Sequence, residues 1–194
     1  MEITTFRAEG TYADNRHPDR VVFVKDIKED LARRDFTANA MAWSPKRGLQ
    51  DPFGGEQDLK QGILRCVGQP ATRFREDALR ILRGLRFSVT YNLTPEPETE
   101  KAMLALTGLL DSLARERVFG EFCGFLPKIT EKELHRYAPI ITQVIPEVGA
   151  TVGFDQHSPH HKYDLYTHIA QVVEQVPGDL PLRWAALLHD VGKI

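Results

Sequence analysis

Three groups of residues in this 194-residue sequence have the types and spacing that chemistry needs. The first is Arg33-Arg34-Asp35-Phe36-Thr37-Ala38-Asn39-Ala40-Met41-Ala42. Guanidinium donors match phosphate oxygens in charge and fork geometry, so two adjacent arginines can bind phosphate, while Asn39 can reach a ribose or a base edge. Read alone, the string fits a solvated helix end followed by a strand equally well, because cations are favoured at helix C-termini.

The second group is Arg75-Glu76-Asp77-Ala78-Leu79-Arg80-Ile81-Leu82-Arg83-Gly84-Leu85-Arg86. On one continuous helix Asp77 and Arg80, three apart, are neighbours, and Arg83 and Arg86 follow on successive turns. One acceptor and one donor then face the same space. The Watson–Crick edges of cytosine and adenine both set an exocyclic amine donor beside a ring-nitrogen acceptor, which a carboxylate paired with a guanidinium complements. Uracil and guanine would meet like with like, at roughly 1–3 kcal/mol for each mismatched buried group. The competing reading is a surface helix laced with i,i+3 ion pairs, each worth about 0.2–0.5 kcal/mol.

The third group is His168, followed by His189-Asp190 and Val191-Gly192-Lys193. Imidazole and carboxylate suit a divalent metal, and an apolar helix over Trp184 to Leu188 can hold the His-Asp pair rigidly. His157, His160 and His161 could add a ligand or a phosphate contact. His17 and His135 have no companions and read as structural.

These groups need elements to position them. A strand opens the chain at Glu2 to Arg7, a turn-rich loop spans Gly10 to Arg20, and Val21 to Val24 reads as a second strand. Ile27 and Leu31, four apart, predict a short helix. Two apolar runs, Phe36 to Trp43 and Leu49 to Phe53, flank the turn-forming Ser44 to Gly48 and predict a hairpin. A polar helix is expected from Glu56 to Gln61 and a brief strand from Ile63 to Val67. From Thr72 onward the period is helical, with Leu79, Leu82 and Leu85 inside one helix over Arg73 to Val89. Further helices are expected near 96–112, 114–127, 131–145, 161–176 and 180–190.

Composition bounds the rest. An apolar content of 42% is enough for a core, and a net charge of −2 leaves any nucleic-acid contact to a local patch. Residues 60–90 supply one, with seven Lys/Arg against two acids. Cys66 and Cys123 fit no CxxC spacing, no apolar run approaches the roughly 20 residues that cross a bilayer, and a cytoplasmic location is the default.

Together the strings resemble the bacterial-type (class II) tRNA nucleotidyltransferases, the CCA-adding enzymes of the DNA polymerase β superfamily. RRDFTANAMAW is similar to that family's second motif and DPFGGEQDLKQGILRCVG to its flexible-hinge motif. FREDALRILRGLRF resembles the nucleotide-selecting motif, SLARERVFGEF the helical motif after it, and YTHI with LLHDVGK the start of an HD phosphohydrolase-like domain. By position, the resemblance implies that Arg34 contacts the incoming nucleotide. Asp77 and Arg80 pair with its base, Arg83 and Arg86 assist, and Asp51 to Asp58 lets head and neck adjust between CTP and ATP.

It also implies Mg²⁺ at two DxD carboxylates that activate the tRNA 3′-hydroxyl. That motif belongs before residue 1, so both ends read as truncations, this chain alone is expected to be inactive, and Glu2 is expected near the metal site. His168, His189 and Asp190 become ligands of the HD metal. The expected α+β architecture is a partial nucleotidyltransferase palm with a mixed or antiparallel sheet (1–55), a helical neck (56–127), a helical body segment (128–150) and the start of an HD domain (151–194). A CC-only or A-only enzyme, a poly(A) polymerase, an HD-type phosphohydrolase and a non-enzymatic RNA-binding protein are the alternatives.

Overall fold

Short elements, each ended by identifiable chemistry, make up this chain. The computed structural model describes residues 5–10, 20–155 and 163–194. Glu2, His17, His157, His160 and His161 lie outside them. By its packing the chain divides into two units, Met1–Gly84 with Asn92–Leu106, and Leu85–Tyr91 with Thr107–Ile194.

In the first unit β1 (Arg7–Glu9) pairs antiparallel with β2 (Val21–Phe23), matching Arg7 to Phe23 and Glu9 to Val21. Helix α1 (Ile27–Ala32) starts where the Asp26 carboxylate accepts the Lys28 amide at 2.9 Å. The run after it departs from the expected strand over 36–43. Phe36 makes one bridge to Cys66, Thr37–Asn39 is a 3₁₀ turn, and only Ala42–Ser44 (β3) pairs with Gly48–Gln50 (β4). Asn39 causes the turn, since its side-chain oxygen accepts the Phe36 amide at 3.2 Å and offers the backbone a local alternative to the ladder.

Helix α2 (Gly55–Lys60) is capped by Asp51, which accepts the amides of Gly55 and Glu56 at 2.8 and 2.9 Å. Gly55 must lack a side chain, because a Cβ there would lie 2.1 Å from the Thr37 carbonyl oxygen. Then follow β5 (Ile63–Leu64), α3 (Pro70–Glu76), α4 (Leu79–Tyr91), β6 (Thr94–Pro95) and α5 (Pro97–Ala105). Strands β5 and β6 pair in parallel, so the region beyond Thr72 is not purely helical as expected. Phe36, Leu64, Phe74, Ile81, Leu82 and Met103 are fully buried, each contributing about 1.5–3 kcal/mol.

The second unit is helical. Beside the latter half of α4 it holds a 3₁₀ segment (Thr107–Ser112), α6 (Arg115–Phe125), α7 (Glu131–Arg136), α8 (Ala138–Val144), α9 (Pro146–Gly149), α10 (Leu165–Gln175) and α11 (Leu180–Leu188). The single helix expected over 131–145 breaks at Tyr137, where Pro139 occupies the first turn of α8 and has no N–H to extend α7. A capping box of Thr130 and Glu133 starts α7, Asp164 caps α10 and Asp179 caps α11. Phe122, Phe125, Ile140, Val148, Leu165 and Val173 lie in the buried interior, and the Tyr166 hydroxyl donates to the Leu134 carbonyl at 2.7 Å. Among the described residues no helix is long and apolar enough to cross a membrane.

Candidate functional site

Helix α1 ends at the arginine pair, and its own acid holds both side chains. Arg33 donates through Nε and Nη2 to Asp30 Oδ1 at 3.0 and 2.8 Å, and Arg34 Nη2 reaches Oδ2 at 3.4 Å. Burial raises the Asp30 carboxyl, but the Arg33 hydrogen bond, the Arg7 amide and the two guanidinium charges outweigh it and hold the group below its ordinary value. The Arg34 side chain is 40% exposed, yet its Nε is buried and has no hydrogen-bond partner among the described residues. An unsatisfied buried donor costs roughly 1–3 kcal/mol. The residue presents a cation at its exposed end, while the Nε stays enclosed.

Next to it a guanidinium clamp ties α1 to α3 and α4. Arg73 donates to the carbonyls of Val67 and Ala32 at 2.9 and 2.7 Å and to Glu76 Oε2 at 2.9 Å. Arg80, only 7% exposed, donates to Glu76 Oε2 at 2.6 Å and to the carbonyls of Arg73 and Arg33, both at 3.1 Å. The pattern Arg73, Glu76, Arg80 carried this signal in its i,i+3 and i,i+4 spacing, but sequence reasoning passed over Arg73 and Glu76.

The structure corrects the expected geometry of Asp77 and Arg80, which do not lie on one helix. Asp77 ends α3 in extended conformation (φ −143°, ψ 106°), and its Oδ1 accepts the Leu79 amide at 3.1 Å. A short polar side chain that can satisfy the backbone locally competes with continuing the helix, and here it wins. Arg80 Nη1 and Nη2 accordingly point to Glu76 and to two carbonyls.

Arg83 and Arg86 are each given a separate acid. Arg83 Nε donates to the buried Asp35 in the first unit, and Arg86 Nε donates to Glu121 at 2.6 Å in the second. Burial pushes the Asp35 carboxyl up, but the Arg83 charge and hydrogen bond, with that of Asn39 at 2.7 Å, bring it below its ordinary value. Asn39 thus spends its amide on Asp35 and Phe36, inside its own turn, instead of reaching outward. Asp51, in the expected hinge, caps α2, and Asp58 accepts from Thr37 at 2.8 Å and from Arg65. Burial pushes the neighbouring Cys66 thiol to about 12, which leaves it protonated and inert.

In the second unit α10 carries His168, and α11 delivers His189 and Asp190 at its C-terminal end. The three ligand atoms lie within 4.8 Å of one another. His189 Nδ1 sits 2.8 Å from the Ala186 carbonyl, which orients the ring, and its Nε2 lies 3.2 Å from Asp190 Oδ2. His168 Nε2 is 3.5 Å from the same oxygen, and Lys193 Nζ donates to it at 2.7 Å. Burial raises Asp190, while Lys193 and the two imidazoles lower it below the usual carboxylate value.

Residues 1–65 match the model of the poly A polymerase head domain. The CCA-adding enzyme of Ligilactobacillus salivarius is 37% identical over 188 residues, covering 92% of this chain and 46% of that protein. The crystal structure of the Bacillus stearothermophilus CCA-adding enzyme in complex with CTP superposes with a TM-score of 0.67 at 30% identity, over 97% of this chain and 43% of that one. The Thermotoga maritima CCA-adding enzyme complexed with tRNA gives 0.57 at 26% identity, over 86% and 47%. This chain spans less than half the length of the curated relatives it matches. Sequence and fold agree in their similarity to the CCA-adding nucleotidyltransferases.

Proposed function

We propose that the protein carrying this chain transfers C and A from CTP and ATP to tRNA 3′ ends without a nucleic-acid template. The observation that carries this is Arg34, a half-exposed guanidinium held at the end of α1 by Asp30. It fits a triphosphate oxygen or ribose hydroxyl of an incoming nucleotide. Asp77 and Arg80 select its base, while Arg83 braces Asp35 and Arg86 braces Glu121. Base selection then requires Arg80 to turn its remaining N–H donors towards the nucleotide while Glu76 keeps hold of the guanidinium. The relatives solved with CTP and with tRNA support the same substrates here. The division into palm, neck, body and HD segments at 55, 127 and 150 belongs to this reading.

Asp30, Asp35 and Glu76 each accept from an arginine, a donor set that does not fit a resident Mg²⁺, so no transferase metal is assigned to them. His168, His189 and Asp190 do fit a divalent ion, and their convergence favours a second, HD-type phosphoester site. Bound there, the ion would supply a Lewis acid for water activation. Ala186 orients His189, and Lys193 steadies Asp190.

The test supplies a tRNA transcript lacking its 3′ CCA, with Mg²⁺ and CTP, ATP, both, or UTP and GTP, and sequences the ends formed. CCA addition is the expected result. CC alone, A alone or a long A tail moves the assignment to the corresponding relative, and no addition alongside phosphoester hydrolysis moves it to the HD site.

A further inference from the structure

The β3–β4 hairpin turns the usual pattern of a strand pair inside out. Trp43 and Leu49 are directly opposite one another and face solvent, 69% and 44% exposed, while the small or polar Ala42, Ser44, Gly48 and Gln50 take the half-buried face. Strand alternation makes this one decision, since a shift of one residue would exchange the faces. Folding gains nothing from leaving an indole in water. The turn between the strands is Pro45-Lys46-Arg47, closed by Gly48 at φ +66°, with the Arg47 amide donating to Ser44 Oγ at 3.2 Å. Lys46 and Arg47 are exposed, and among the described residues neither side chain has an ion-pair partner. Residues 36–50 contain no Asp or Glu, so the tip is a cationic surface with an aromatic face beside it.

We propose that this hairpin is a stacking platform for an unpaired nucleotide of the RNA substrate. The Trp43 indole takes the face of a base, Leu49 extends the apolar floor, and Lys46 and Arg47 take the flanking phosphates. An aromatic ring beside cations is the chemistry by which proteins hold single-stranded nucleic acid regardless of base, because every base has a π-face and every linkage a charge. A protein partner fits less well. Two apolar side chains offer a small fraction of the roughly 800 Å² per partner that a stable protein interface buries.

The inference rests on tRNA being the substrate, and its test separates the two. The affinity of the protein carrying this chain for a tRNA transcript lacking CCA is measured across a salt series, with indole emission followed in parallel. Trp43→Ala should weaken binding about 5- to 100-fold, and Trp43→Phe should restore most of it. RNA should quench part of the emission in the parent, and that part should vanish in Trp43→Phe. The Lys46→Ala/Arg47→Ala double variant should lower the slope of log affinity against log salt by about 1.5. Unchanged affinity, slope and quenching in a parent that adds C and A would overturn the platform and leave the function standing. A parent that adds nothing would overturn the function, while quenching and affinity still decide the platform.

Discussion

Glu76 Oε2 accepts from Arg80 Nη1 at 2.6 Å and from Arg73 Nη1 at 2.9 Å, so a single carboxylate oxygen holds two guanidinium groups that also bind the carbonyls of Ala32 and Arg33. Through it Arg80 and the end of α1, which the proposed function makes base-selecting and nucleotide-contacting, share one support. Glu76→Gln removes the charge and keeps the shape. It should cost about 1–3 kcal/mol of stability in urea unfolding, as expected for a partly buried charged network. It should also lower kcat for both C and A addition more than it raises KM. A KM change alone would show that Glu76 holds the fold and not Arg80.

Asp77 lends itself to a cleaner separation of roles. Its carboxylate starts α4 by accepting the Leu79 amide at 3.1 Å, and an asparagine can make the same bond. Asp77→Asn should therefore leave stability within about 0.5 kcal/mol, whereas Asp77→Ala should cost about 1 kcal/mol, the usual worth of a cap. If Asp77 selects the base as proposed, Asn in place of the carboxylate still alters the match to the amine of C and A. Misincorporation of U and G, scored by sequencing the added ends, should rise in both variants. Faithful addition by a stable Asp77→Asn protein would assign Asp77 to capping alone.

How much of this was legible depended on which signal each residue carries. The spacing of Leu79, Leu82 and Leu85 placed α4, and all three are buried. The break before it was hidden, because neither Gly nor Pro marks it and only a side-chain hydrogen bond at Asp77 makes it. Pro139 is visible in the sequence, and its missing N–H is what separates α7 from α8 at Tyr137. Strand β6, two residues long, has no periodicity to read and exists only through pairing with β5. Within the site, the arginines stand out by type, and Asp30 and Glu76 by their spacing of three and four residues from Arg33 and Arg80. Asp35 and Glu121 look like ordinary surface charges until the fold brings them to Arg83 and Arg86.

Asp35 gives the fold a pH signature. Its carboxyl is lowered in the folded state, with burial opposing and Arg83 prevailing, so its contribution to stability is fully present above the unfolded-state value of about 3.9. It is lost as pH falls through the still lower folded value. Asp35→Asn, which keeps the acceptor for Asn39 but removes the charge facing Arg83, should destabilise by about 2–4 kcal/mol at neutral pH. The gap between the two proteins in urea midpoint should be flat from about pH 5 to 8 and close below about pH 4. A gap that persists unchanged into acid would mean that packing, and not the ion pair, carries the effect.

Gly55 marks the close approach that fixes α2 against the 3₁₀ turn. Its missing Cβ would meet the Thr37 carbonyl oxygen at 2.1 Å and the carbonyl carbon at 2.7 Å, and backbone cannot step aside as a flexible side chain can. Gly55→Ala should cost about 2–3 kcal/mol through overpacking, despite the higher helix propensity of alanine. Gly108, with nothing within 4 Å of its Cβ position, is the control and should tolerate alanine. Thermal unfolding of the two variants side by side decides between local crowding and a general sensitivity to glycine loss.

The cluster of His168, His189 and Asp190 makes its own prediction, independent of nucleotide transfer. His168, His189 and Asp190 offer two imidazole nitrogens and one carboxylate oxygen within 4.8 Å, a set suited to Mn²⁺, Fe²⁺, Ni²⁺ or Zn²⁺ better than to Mg²⁺, which prefers oxygen ligands throughout. Titration calorimetry with Mn²⁺ or Ni²⁺ should show one site that His189→Ala removes. Lys193 competes for the carboxylate oxygen at 2.7 Å, so Lys193→Ala should tighten binding if the metal displaces the ammonium. The same site should raise the melting temperature as metal is added, since an ion that binds only the folded chain stabilises it by mass action. Because the cluster joins α10 to the end of α11, that rise should be lost in His168→Ala as completely as in His189→Ala. A shift that survives both substitutions would place the bound ion elsewhere.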